Sequence, residues 1–199
     1  MPRIPLRSDR ELGPLGRLMA RLSRRWYGQV PEPLRAMAHH RRLLWTYGAH
    51  EWMAERATKR LPVELREIVV HRVATVVGCS WCVDFGTMLT LKAGFSVQRH
   101  RELAHYDTSD AFTAEEKLAL AYADAMTAQP MTVDDDLVRR LRSALGDDGL
   151  VELTYVVALE NFRARTNHAL GITAQGYTRG DACPVPYDVQ ITAAQSAPS

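Results

Sequence analysis

Two cysteines three residues apart carry the clearest chemistry in the sequence. The run Cys79-Ser80-Trp81-Cys82 follows Gly78, at the predicted start of a helix. Unpaired backbone N–H groups and the positive end of the helix dipole stabilise a thiolate there, which makes a cysteine a better nucleophile at neutral pH. The i,i+3 spacing brings the second sulfur within reach of the first, so one cysteine can resolve a sulfenic acid on the other as a disulfide. The pattern predicts peroxide reduction or thiol–disulfide exchange.

Other interpretations of the pair stay open at this point. Both cysteines also fit as small buried apolar side chains at a helix start. A zinc site needs two more ligands, and the sequence has no second C-x-x-C and no H-x₃-H, so no metal site is predicted. Three cysteines in 199 residues do not indicate a disulfide-stapled secreted scaffold, and Cys183, in the C-terminal tail, is expected to be a bystander.

Candidate proton carriers precede the cysteines. Glu67 lies on the preceding predicted helix, and His71 lies one turn later on the same face. A carboxylate beside a thiol pair accepts or relays a proton. The competing interpretation pairs Glu67 with Arg66 or Arg72, and spacing alone favours that structural role. His71 is a weaker candidate than Glu67, because it lies in an apolar stretch and fits a hydrogen-bonded core histidine.

The last predicted helix carries an unusual set of polar side chains. These are Asn161, Arg163, Arg165, Asn167 and His168. Polar groups on an otherwise apolar face need partners, so they line a pocket, line a subunit interface or satisfy local backbone groups. We favour the structural interpretation, and keep Asn161 as a candidate pocket residue.

The composition is that of an ordinary soluble globule, with 46% hydrophobic and 24% charged residues. No apolar run reaches the roughly 18 residues of a membrane helix. The formal net charge of +2 gives no argument for nucleic-acid or membrane binding. The N-terminal 30 residues are rich in arginine but lack the apolar segment of a secretory signal, and Pro2, Pro5 and Pro14 argue against an amphipathic helix there. We expect a cytoplasmic protein.

Helical periodicity runs through most of the chain and predicts an all-α fold. The predicted helices run from about Leu34 to Ala57, Val63 to Val77, Cys79 to Lys92, Ser96 to Tyr106, Glu115 to Ala128, Thr132 to Leu145, and Leu150 to Leu170. Gly78 has the position of a helix C-terminal glycine, and Thr113 with Glu116 forms a capping box. The predicted organisation is an Arg-rich arm over 1–33, a helical domain over 34–171 and an extended tail over 172–199.

Two segments of the chain resemble the carboxymuconolactone decarboxylase family, and more closely its AhpD-like alkylhydroperoxidase branch. They are Leu61-Pro62-Val63-Glu64-Leu65-Arg66-Glu67 with Cys79-Ser80-Trp81-Cys82-Val83-Asp84, and Glu160-Asn161-Phe162 through Asn167-His168-Ala169-Leu170-Gly171. The resemblance covers residues 34–171, and a glutamate twelve residues before the first cysteine of a C-x-x-C is its most specific feature. It implies an all-helical fold built around a helical hairpin and assembled as dimers, trimers or hexamers.

The resemblance also implies site residues. Redox-active members reduce peroxides through the two cysteines, here Cys79 and Cys82, with the glutamate, here Glu67, in a proton relay. Some are re-reduced by a lipoylated partner protein. The decarboxylase branch generally lacks the cysteine pair.

The relay histidines of the family are missing from this chain. The position four residues after the second cysteine is Gly86, and the position between the cysteines is Trp81. A general base typically contributes about 10²–10⁴-fold, so its loss is expected to weaken turnover. Asp84, His71 and His168 are candidate substitutes.

The leading hypothesis is an oligomeric peroxidase or disulfide oxidoreductase that requires no cofactor, acts on a hydroperoxide or disulfide and uses a protein reductant. Which cysteine attacks stays open, because the helix start favours Cys79 and the family's histidine position favours Cys82. One alternative is a binding or assembly module in which Trp81 and Phe85, with Trp45, line an apolar pocket. Another is a non-redox enzyme related to the decarboxylases.

Overall fold

The computed structural model describes residues 2–178, and in this range the chain forms helices and no strand. The helices are α1 (Gly13–Tyr27), α2 (Glu32–Met37), α3 (Arg41–Ala57), α4 (Val63–Val77), α5 (Ser80–Lys92), α6 (Gln98–Glu102), α7 (Ala114–Thr127) and α8 (Asp135–Ala169), with a 3-10 turn at Leu103–His105. The predicted all-α class is confirmed. Cys183 and most of the predicted tail lie outside the described residues.

The main core lies where α4, α7 and α8 pack together. Its fully buried side chains include Leu65, Ile68, Val69 and Val73 of α4, Leu120 and Ala123 of α7, and Leu153 and Val157 of α8. The β-branched residues of α4 have the helical spacing that points them into this core, so tertiary packing outweighs their preference for a strand.

A two-residue connection joins α4 to α5 and makes them an antiparallel hairpin. Gly78 has a φ of 79°, in the left-handed region that favours glycine, and its N–H donates to the carbonyl oxygen of Thr75. Cys79 has extended backbone angles and is the N-cap of α5. The predicted helix start is therefore confirmed to within one residue, and the cysteine pair lies at the closed end of the hairpin.

The N-terminal region is more helical than predicted. Helix α1 lies inside the segment expected to be an arm, and Pro14 is in its first turn, where the missing N–H of proline costs nothing. The single predicted helix over 34–57 is wrong, because the chain breaks between α2 and α3. His40 caps α3 there, with its Nδ1 accepting the N–H of Leu43 at 3.2 Å.

The later helix boundaries follow local capping chemistry. The Thr113–Glu116 capping box is present at the start of α7. Helix α8 is capped by Asp134, not by the predicted Thr132, through the N–H of Leu137 at 2.8 Å. The two predicted helices after residue 132 form one element that is interrupted at Gly146, where φ is 75° and ψ is 175°.

Helices α1 and α3 leave large apolar side chains in solvent. Trp26, Trp45 and Trp52 are each 58% exposed. Homo-oligomer formation stays a prediction.

Candidate functional site

Cys79 and Cys82 are joined as a disulfide, with 5.3 Å between their Cα atoms. The Cys79 Sγ accepts the N–H of Cys82 at 3.2 Å, so it lies at the positive end of the α5 dipole. The N–H of Cys79 donates to the Ala74 carbonyl oxygen at 2.9 Å, which ties the pair to the end of α4. Cys79 is 1% exposed and Cys82 is 9% exposed, so the second cysteine is the more accessible.

Asn167 of α8 contacts Cys82 with its side-chain amide. Its Nδ2 donates to the Cys82 Sγ at 3.5 Å, and the residue is buried. An N–H donor at this distance stabilises negative charge on sulfur. Asn167 belonged to the polar set noted on this helix, but the sequence did not distinguish it from Asn161 as the residue beside the thiols.

Glu67 lies on α4, two turns before Ala74 and on the same face. Burial raises the pKa of its carboxyl group above the usual range, and the nearby Arg66 guanidinium, 3.6 Å from Glu67 Oε1, opposes this. Arg66 also donates to the Thr58 carbonyl oxygen at 2.7 Å, so its guanidinium interacts with this oxygen as well as with Glu67. Both predicted roles, ion-pair partner and proton carrier, remain compatible with this environment.

A second glutamate lies close to Glu67. Glu160 of α8 is 3% exposed, and burial raises the pKa of its carboxyl group to about 7, with the charges of Glu51 and Glu67 acting in the same direction. Arg163 donates to Glu160 Oε2 at 3.3 Å and to Glu51 Oε1 at 2.9 Å. We call Glu51, Glu67 and Glu160 with Arg163 the carboxylate cluster. Sequence analysis noted Glu160 only as part of the family resemblance.

Gly86 leaves room on the α5 face that carries Cys82. A Cβ at this position would meet no other heavy atom within 4 Å. Because α5 runs back along α4, the step from Cys82 to Gly86 goes toward the Glu67 end of α4. Measured along the α5 axis, residue 86 therefore lies between the cysteines and Glu67, about 6 Å from Cys82.

The two candidate histidines have different surroundings. His71 is buried and stacks on His100, with 4.0 Å between ring centroids, and neither of its ring nitrogens has a hydrogen-bond partner among residues 2–178. Burial lowers the pKa of His71 to about 3. His168 Nδ1 lies 3.0 Å from the Val77 carbonyl oxygen, at the end of α4. These contacts favour structural roles for both.

Asp84 anchors the segment that follows α8. Its buried carboxylate accepts the backbone N–H groups of Gln175, Gly176, Tyr177 and Thr178, at 2.8 to 3.0 Å, and the hydroxyl of Thr178 at 2.8 Å. Five donors occupy both oxygens, which favours a structural role over the proposed proton relay.

Replacing Asp84 with asparagine is expected to destabilise this segment by about 2–4 kcal/mol, because the amide cannot accept all of these bonds and presents N–H groups to N–H donors. Amide hydrogen exchange at residues 175–178 should accelerate by at least tenfold. Asp110→Asn, at an exposed position, is the control. Unchanged exchange rates at residues 175–178 would show that Asp84 does not hold the segment.

The predicted pocket aromatics pack against other rings. Trp81 and Phe85 stack with 4.7 Å between ring centroids, and Phe85 also contacts Tyr27 of α1 at 5.0 Å and Tyr177 at 5.2 Å. Trp81 Nε1 donates to Gln175 Oε1 at 3.0 Å. This aromatic cluster joins the start of α5 to α1 and to the segment after α8.

Asn161 lies away from the cysteines and joins α8 to α7. Its Nδ2 donates to Thr127 Oγ1 at 2.9 Å and to the Val157 carbonyl oxygen at 3.1 Å. Arg165 bonds to Asn161 Oδ1 at 3.2 Å and to the Thr127 carbonyl oxygen at 3.1 Å. The side chain therefore satisfies the end of α7.

Two properties of residues 2–178 bear on the class of site. None of the helices in this range is long and apolar enough to cross a membrane. No group of three or more histidine, cysteine, aspartate or glutamate side chains in the same range is arranged to hold a metal ion.

Known proteins share this fold and part of this sequence. Residues 41–125 match the model of the carboxymuconolactone decarboxylase family. The uncharacterised protein YnjA of Escherichia coli (strain K12) is 35% identical over 163 residues, which cover 82% of this chain and 90% of YnjA. Among solved structures, a cysteine-to-alanine variant of the debrominase Bmp8 in complex with 2,3,4-tribromopyrrole superimposes with a TM-score of 0.78 at 19% identity, over 90% of this chain and 96% of that one.

A second solved structure has the same fold. It is described as an alkylhydroperoxidase AhpD core, an uncharacterised peroxidase-related protein from Ralstonia eutropha JMP134, and superimposes with a TM-score of 0.76 at 17% identity over 88% of this chain and 94% of that one. The fold and the paired cysteines thus define an AhpD-like helical protein. The chain belongs to the carboxymuconolactone decarboxylase family.

Proposed function

We propose that this protein is a thiol-dependent peroxidase or disulfide oxidoreductase in which Cys79 and Cys82 cycle between dithiol and disulfide. The observation that carries the proposal is the bonded pair at the start of α5, with the Asn167 amide on one sulfur. The Asn167 N–H would stabilise a thiolate on Cys82 once the disulfide is reduced.

In the proposed reaction Cys82 attacks. It is the more exposed of the two cysteines, and Asn167 donates to its sulfur. Its thiolate forms an S–O bond with the hydroperoxide, the O–O bond breaks, and the alkoxide leaves as an alcohol after taking a proton. The Cys79 thiol then attacks the sulfenic acid, the S–S bond forms, and water leaves. Two thiols and one hydroperoxide give one disulfide, one alcohol and one water, and an external dithiol restores the pair.

Single cysteine variants test this assignment. Cys82→Ser is expected to lower peroxide consumption, measured with dithiothreitol as the reductant, by at least about 10²-fold, because the nucleophile is gone. Cys79→Ser is expected to stop turnover after one attack and leave a sulfenic acid on Cys82, which dimedone labels for detection by mass spectrometry. Cys183→Ser is the matched control and should retain the wild-type rate.

The other outcomes separate the alternatives. Sulfenic acid on Cys79 in the Cys82→Ser variant would reverse the order of attack. Peroxide consumption lost in neither variant would contradict the assignment, whereas decarboxylation of a lactone that survives both substitutions would favour a non-redox enzyme. Persistent free thiols in the wild type under peroxide, together with binding of apolar small molecules, would favour the binding module.

The likeness to the debrominase favours a second candidate, reductive dehalogenation of a small aromatic compound. The dithiol supplies two electrons, so an aryl bromide and two thiols give the arene, the disulfide and hydrogen bromide. Open space beside Gly86, one turn after Cys82, leaves one side of that cysteine free of other side chains. Bromide release from 2,3,4-tribromopyrrole, measured on the reduced protein and on Cys82→Ser, distinguishes this activity from peroxide reduction.

A further inference from the structure

The carboxylate cluster has more negative than positive groups. Arg163 makes two bonds to Glu51, through Nε at 2.9 Å and through Nη2, but reaches Glu160 only at 3.3 Å. Glu67 has its own contact with Arg66 at 3.6 Å. Arg163 is thus largely committed to Glu51, and Glu160 is left incompletely neutralised.

Glu160 is also incompletely hydrogen-bonded. Its Oε1 is buried and has no partner among residues 2–178. A buried carboxylate oxygen that accepts no hydrogen bond costs free energy. Protonation of the carboxyl group removes the charge and most of that cost. Two carboxylates share the guanidinium of Arg163, and the nearby Glu67 and the buried Tyr47 add no positive charge, so the cluster favours retention of one proton near neutral pH.

The position of Glu160 connects this proton to the cysteines. Glu160, Ala164 and Asn167 follow one another at i, i+4 and i+7, so they form one stripe on α8. Asn167 lies at the cysteine end of this stripe, with its amide on Cys82 Sγ. At the other end Glu160 lies on the part of the stripe nearer Glu67, whose helix α4 packs against α8, and the charge of Glu67 raises the pKa of Glu160.

We propose that Glu160 stores the proton that Glu67 exchanges with the cysteine pair, and so acts as a positioning residue in place of the family's missing histidine. The catalytic part of this inference rests on the proposed function, whereas the storage of a proton does not. When the alkoxide leaves, Glu67 donates a proton to it and is re-protonated by Glu160. The Cys79 thiol returns a proton to the cluster as it attacks the sulfenic acid, and the proton released when Cys82 ionised completes the water.

The direct test is a titration of the side-chain carboxyl groups by NMR of ¹³C-labelled glutamate in the full-length protein. We expect one glutamate carboxyl with a midpoint near pH 7, absent from Glu160→Gln and present in Glu152→Gln. Glutamine mimics the protonated side chain of glutamate. Glu152→Gln is the control, because it replaces a glutamate by glutamine on the same helix but outside the cluster. A wild-type protein in which every glutamate titrates below pH 6 would overturn the inference without reference to any variant, as would a midpoint near 7 that persists in Glu160→Gln.

The functional test is the pH profile of disulfide formation in the reduced protein after addition of cumene hydroperoxide. Glu160→Gln should move the limb of the profile near pH 7 by at least one pH unit, and Glu152→Gln should not move it. An unmoved limb in a Glu160→Gln protein that still forms the disulfide would contradict the role.

If the wild type forms no disulfide, the proposed function has failed, and the pH dependence of iodoacetamide alkylation of Cys82 then tests the link between Glu160 and the thiol. Loss of the step near pH 7 in Glu160→Gln supports the link, and identical alkylation profiles overturn it.

Discussion

Gly86→His should accelerate peroxide reduction by the cysteine pair by at least about tenfold, because a positioned general base contributes on the order of 10²–10⁴-fold. Residue 86 shares a face of α5 with Cys82 and lies, along the axis of that helix, between Cys82 and Glu67. The structure has room there for a side chain, since a Cβ would contact no other heavy atom within 4 Å. An imidazole at this position would take the proton of the attacking thiol and pass it toward Glu67.

Gly86→Asn is the matched control for this gain. Asparagine has a similar reach and fills the same room, but it does not titrate between pH 5 and 8. Both substitutions remove a glycine from a helix interior and should stabilise the protein by similar amounts, up to about 1 kcal/mol. The initial rate of peroxide consumption, measured from pH 5 to 8, should rise only in the histidine variant. Equal rates in the two variants would show that the hairpin does not present residue 86 to the thiols.

The two buried histidines are expected to lower the stability of the fold as the pH drops below about 6.5. Burial lowers the pKa of His71 to about 3 and that of His100 to about 4 from an ordinary value of 6.5. Arg99 also lowers the pKa of His100, and Glu64 opposes it. Since the unfolded chain binds protons near pH 6.5 and the folded chain does not, the stabilisation is complete above that pH and is lost as the pH falls toward 4. The difference at His71 corresponds to an upper limit of about 5 kcal/mol.

Substitutions in the stacked pair of His71 and His100 test this prediction. His71→Phe and His100→Phe keep an aromatic ring in the stack and remove one titrating group each. Urea unfolding between pH 5 and 7.5 should show that each variant loses less free energy of unfolding than the wild type on acidification. His105→Gln, at an exposed position, should behave as the wild type does. Identical losses in the wild type and in both phenylalanine variants between pH 7.5 and pH 5 would contradict the burial of uncharged histidines.

Local chemistry made part of the fold predictable. Gly78 and the capping box of Thr113 and Glu116 act within a few residues, so their sequence signals correctly located the hairpin and the start of α7. Pro14 misled the prediction of the first 33 residues, because proline breaks a helix interior but fits its first turn. The boundary between α2 and α3 depends on a histidine cap, a weaker signal than serine, threonine or aspartate.

The site was predictable only where it lies within the hairpin. The spacing of Cys79 and Cys82 implied a pair that forms a disulfide, and the structure contains that bond. The surroundings of Asp84 depend on a segment ninety residues later, which no local pattern reveals. Glu160 and Asn167 depend on the rotation of α8 against α4, so periodicity identified a polar helix without showing which of its side chains face the thiols.

The central claim is that Cys79 and Cys82 form a redox couple that reacts with peroxide. We would mix fully reduced protein with a small excess of cumene hydroperoxide, quench the reaction at intervals and map the products by peptide mass spectrometry while following loss of peroxide. We expect a Cys79–Cys82 disulfide that forms much faster than free cysteine is oxidised, with one peroxide consumed per disulfide. Free thiols that persist, or that oxidise no faster than free cysteine, would contradict it.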